Sequence, residues 1–140
     1  VPWDKHPNSV RALLNRLVFT DAVWSAALNG EPFPEMSLAA SIAELTQLHN
    51  TSRARVAAFF ERVETEGLWE SEFVDALCSP PETFRFDGVF ADIIEFSAVR
   101  RSQVLAALAS FGISDGDYGA PIHWQRGIRG AAVRESMGCG

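Results

Sequence analysis

Apolar positions recur along three long stretches of this chain at the three-and-four spacing of an α-helix. The first places Val10, Leu13, Leu14, Leu17, Asp21, Trp24 and Leu28 in one stripe. Ser9 or Asn8 can cap it, because a side-chain oxygen there satisfies an otherwise unpaired amide, and Asn29-Gly30 supplies the stop. A weaker stripe, Ala12, Arg16, Phe19, Val23 and Ala27, lies roughly opposite, so this helix is expected to touch neighbours on more than one side. The second stretch, from a Ser37 cap to about Glu64, aligns Leu38, Ile42, Leu45, His49, Ser52, Val56, Phe59, Phe60 and Val63. Its other face carries Glu44, Gln47, Glu61 and Arg62. The third, capped by Asp87 and closed by Gly112, gathers Phe90, Ile93, Ile94, Ser97, Val104, Leu105, Leu108 and Phe111. Arg101 falls inside that arc, and Phe96, Arg100 and Gln103 flank it.

Between these stretches the pattern breaks for identifiable reasons. Pro32 and Pro34 cannot continue a helix, since proline lacks the amide and clashes with the preceding turn. From Leu68 to Phe86, WESEFVDAL and ETFRF alternate briefly around Ser79-Pro80-Pro81, which reads as irregular with room for a short hairpin. After Gly112 the chain turns often and should lie over the bundle end. The expectation is one all-α domain over residues 1–140, with a lead at 1–8 and a flexible or partner-contacting tail at 127–140.

Composition narrows the function classes. Of 140 residues, 47% are hydrophobic and 21% charged, ordinary for a globular protein. No apolar run approaches the roughly 20 residues needed to span a bilayer, so no membrane partner is expected, and the cytoplasm is the expected location. A net charge of −6 argues against a nucleic-acid partner, since binding a phosphate backbone draws on clustered Lys and Arg. Cys78 and Cys139 show no disulfide or metal spacing, so reduced thiols are expected.

Two segments resemble a known family. FADIIEFSAVRRSQVLAALASFG is similar to the last bundle helix of the DinB/YfiT-like superfamily, which commonly carries H-x-x-x-H-R-G-Q there. LLNRLVFTDAVWSAALNGEPFP resembles that family's L-N-H-x-x-x-x-D-x-x-W-x-x-x-L-x-G helix. The resemblance extends from Ser9 to about Arg126. It implies an up-and-down four-helix bundle, usually dimeric, holding nickel or zinc through three histidines, with thiol-dependent transferases and isomerases among its members. Carried over, the three ligand positions fall on Arg16, Phe96 and Arg100, none of which binds a cation. The family's first helix has no counterpart here, which leaves three long helices with one bare side and points to a homodimer.

These residues support competing readings. Arg16 and Arg100, with Phe96, Gln103, Asp21 and Trp24 around them, would clamp a carboxylate or phosphate with no metal and no cofactor. Alternatively the arginines pair with Asp21, Asp92 or Glu95 as an ionic network, which is the commoner fate of a buried charge. A third reading keeps a metal, Ni or Zn, at a displaced site using His49 and Asp21. A fourth makes the chain a non-catalytic structural or regulatory dimer. Asp21 itself is expected to accept a bond from Trp24 or Arg101, or to cap a neighbouring helix. His6 and His123 fall in loops, and the aromatics Trp24, Phe59, Phe60, Phe90 and Phe96 are read as core.

Overall fold

The structure, a computed structural model, describes residues 9–35 and 41–113 of the chain. Three helices and one hairpin follow in order: α1 (Val10–Leu28), α2 (Ile42–Glu66), β1 (Glu72–Asp75), β2 (Glu82–Arg85) and α3 (Phe86–Ser110). The predominantly helical expectation holds, and the alternating segment does form a two-stranded antiparallel sheet. Helix α1 contacts both α2 and α3, as its two apolar stripes require. No helix among the described residues is long and apolar enough to cross a membrane.

Local chemistry sets the helix limits. Ser9 caps α1 by accepting from the Ala12 amide at 3.2 Å. Helix α2 starts later than the spacing predicts, because Ser41 and Glu44 form a reciprocal capping box there. Ser37 lies outside the described residues. After α1 and α2, Gly30 (φ 66°) and Gly67 (φ 65°) take the left-handed conformation. Their amides, and those of Glu31 and Leu68 after them, return to carbonyls of the last turn.

The start of α3 corrects the sequence reading: Asp87 is not its cap. The helix begins at Phe86, and Arg85 at the cap position makes no capping side-chain bond. Instead the Phe86 amide donates to the Ser71 carbonyl at 3.1 Å and the Asp87 amide to the Trp69 carbonyl at 3.0 Å. Backbone of the segment leading into the hairpin does the work of a capping side chain. The hairpin pairs Phe73 with Phe84 and Glu72 with Arg85. Phe73 stacks on Phe86, with ring centroids 5.4 Å apart, so the sheet closes one end of the core.

That core joins Leu28 of α1, Val56, Phe59, Phe60 and Val63 of α2, and Phe86, Val89 and Ile93 of α3. Trp24 and Trp69 pack against it. Helix α3 departs most from expectation. Its buried side is Phe86, Val89, Ile93 and Val104, whereas Phe90, Ile94 and Phe111 of the predicted arc are exposed. Phe96 is also exposed and not a core aromatic. Arg101 needs no buried partner, because it faces solvent.

Candidate functional site

Asp21 of α1 is an acid only 3% exposed on a stripe otherwise apolar. A carboxylate there must find partners, because desolvation disfavours the ionised form. Two residues of α2 provide them. His49 Nδ1 lies 2.9 Å from Asp21 Oδ2, and one helical turn later Arg53 Nη1 lies 4.0 Å from Oδ1. The first distance is a hydrogen bond, while the second is an attraction between charges without one. Arg53 also reaches across to α3, where Nη1 is 3.4 Å from the Ser97 hydroxyl. One cluster thus touches all three helices.

Its electrostatics are set by depth. Burial pushes the Asp21 carboxyl above its ordinary value of 3.8, and Arg53 and then His49 partly offset that rise. With Asp21 ionised and the imidazole neutral, the carboxylate accepts and Nδ1 donates, which leaves Nε2 with its lone pair. The side chains of His49 and Arg53 are 39% and 50% exposed. The acid therefore lies beneath, and the groups that donate or carry positive charge lie outward.

The predicted residues are distributed differently from the sequence expectation. Asp21 is buried as predicted, but its partner is His49, not Trp24 or Arg101. Trp24 packs against the core. Arg16 and Gln103 are exposed on the outer surface, and Arg100 lies over the Phe96 ring at 5.7 Å, one turn apart on the same helix. Among the described residues, no group of three or more His, Cys, Asp or Glu is placed to hold a metal ion. His6, His123 and Cys139 lie outside the described residues, and Cys78 is a free thiol. Arg53 and Ser97 are the members that sequence reasoning did not single out. The signal for Arg53 was its place four residues after His49, on the same helical strip.

A separate hollow lies between α1, α2 and the segment after α1. Ala22, Ser25 and Ala26 form one side, Leu48, Thr51, Ser52 and Arg55 another, and residues 31–34 the third. Arg55 forks onto Glu31, with Nη1 to Oε2 at 3.0 Å and Nη2 against Oε1. Phe33 leans on Phe19, ring centroids 5.8 Å apart.

No family model, characterised protein or solved structure matches the chain.

Proposed function

We propose that the chain is a cytoplasmic, divergent DinB-like bundle that binds a small anion, a carboxylate or phosphate, at His49 and Arg53. The observation that carries this reading is the layering of the cluster, with Asp21 buried and the side chains of His49 and Arg53 partly exposed above it. Asp21 fixes the imidazole orientation and holds Arg53 close. The outward groups then present one guanidinium, suited to forked hydrogen bonds on an oxyanion, and the Nε2 lone pair of His49, which accepts from a protonated ligand oxygen such as the hydroxyl of hydrogen phosphate. The free thiol of Cys78 suits a reducing compartment.

A thermal-shift series with inorganic phosphate and simple organic acids tests this. Saturable stabilisation is expected. Arg53→Ala should weaken it roughly tenfold to a hundredfold, the worth of one charge-assisted hydrogen bond. Arg16→Ala and Arg100→Ala should leave it unchanged. An absent response would contradict anion binding, and one lost only in the Arg16 and Arg100 variants would move the site to those arginines of α1 and α3.

A second reading is a metal-dependent enzyme, a hydrolase or thiol-dependent transferase, using His49 as a ligand. The carboxylate on Nδ1 favours it, since metal-bound imidazoles commonly donate their other nitrogen to such a group. Stoichiometric nickel or zinc in untagged protein, lost in His49→Ala, would replace the anion reading with this one.

The same DinB-like reading implies a homodimer. Exposed Phe90 and Ile94 on α3 offer an apolar surface that a second copy of the chain would cover.

A further inference from the structure

We propose that the hollow between α1, α2 and residues 31–34 is a second binding site, for a small neutral organic molecule with one hydrogen-bonding group. Its volume is about 350 Å³. An engineered apolar cavity of about 150 Å³ is already enough for benzene, so one substituted ring fits. Small residues create this space: Ala22, Ser25 and Ala26 on α1 and Ser52 on α2 are all buried yet leave the hollow open.

Two further observations fix the class of ligand. The Ser25 hydroxyl is buried, the residue being 2% exposed, and finds no hydrogen-bond partner among the described residues. An unpaired buried hydroxyl is costly, and a ligand hydroxyl or carbonyl would satisfy it. Among the described residues the only charges on the lining, Glu31 and Arg55, are committed to each other in a forked ion pair. With these charges cancelling, a neutral molecule is preferred over an anion. The same ion pair holds residues 31–34 as the outer wall, and this site is independent of the one at His49.

Phenol, with benzene as the control lacking a hydroxyl, is the direct probe in amide correlation spectra of the full chain. Phenol should shift the amides of Ala22, Ser25 and Ser52 saturably and bind about five- to tenfold more tightly than benzene, as one net hydrogen bond allows. Ser25→Ala should abolish that preference. Ala26→Leu should fill the hollow and exclude both. No saturable shift with either probe would overturn the proposal, and so would a phenol preference undiminished in Ser25→Ala. The Ser25→Ala arm does not depend on whether Ala26→Leu folds.

Discussion

Asp21 shows how a single residue can be read in part. Its place on an apolar stripe marks it as interior from sequence alone. Its partner was not legible, because His49 and Arg53 lie 28 and 32 positions away and only the α1 to α2 packing brings them together. The raised carboxyl has a thermodynamic sign. The folded chain holds this proton to higher pH than the unfolded chain does, so its contribution to stability falls as pH rises from about 3.8 through the raised value. Asp21→Asn removes that loss. Urea denaturation at about pH 3 and about pH 5.5 should show wild type losing ground to Asp21→Asn as pH rises. An unchanged difference between the two proteins would mean that burial does not govern this group.

At the scale of elements, boundaries followed from chemistry that is local in sequence and failed where it was not. Ser9, Gly30, Gly67 and the Pro32 to Pro34 break could be read directly. The start of α3 could not, because its first amides are satisfied by carbonyls of Trp69 and Ser71 rather than by a neighbouring side chain. Asp87 instead binds Arg85, with Arg85 Nη2 donating at 2.6 Å. Ser41→Ala should cost about 1 kcal/mol in urea denaturation, the usual worth of an N-cap. Asp87→Ala should cost less, since it breaks an exposed pair with Arg85 and one exposed bond from the Gly88 amide. Phe60 supports both helix and hairpin, with its ring against Phe59, Trp69 and Phe90. Phe60→Ala should cost about 3–5 kcal/mol and should disturb the Trp69 fluorescence.

At the scale of the whole molecule, helix number and order were legible and the use of α3 was not. Its sequence offers apolar residues on several sides, so periodicity alone could not select the buried one. Packing against α1 and the hairpin chose Phe86, Val89 and Ile93, leaving Ile94 and Phe96 outside and Phe90 at the rim against Phe60 and Trp69. Light scattering should report a dimer that Ile94→Glu converts to monomer with little loss of helicity. A wild-type monomer would remove the self-pairing surface.

The layered cluster joining the three helices makes the sharpest demand. Nitrogen-15 spectra of the imidazole side chains, recorded during a phosphate titration, observe it directly. The account predicts that His49 carries its proton on Nδ1 without phosphate, and that its Nε2 signal moves saturably with phosphate in wild type but not in Arg53→Ala. A His49 signal indifferent to phosphate, or a free ring with no bond to Asp21, would contradict it.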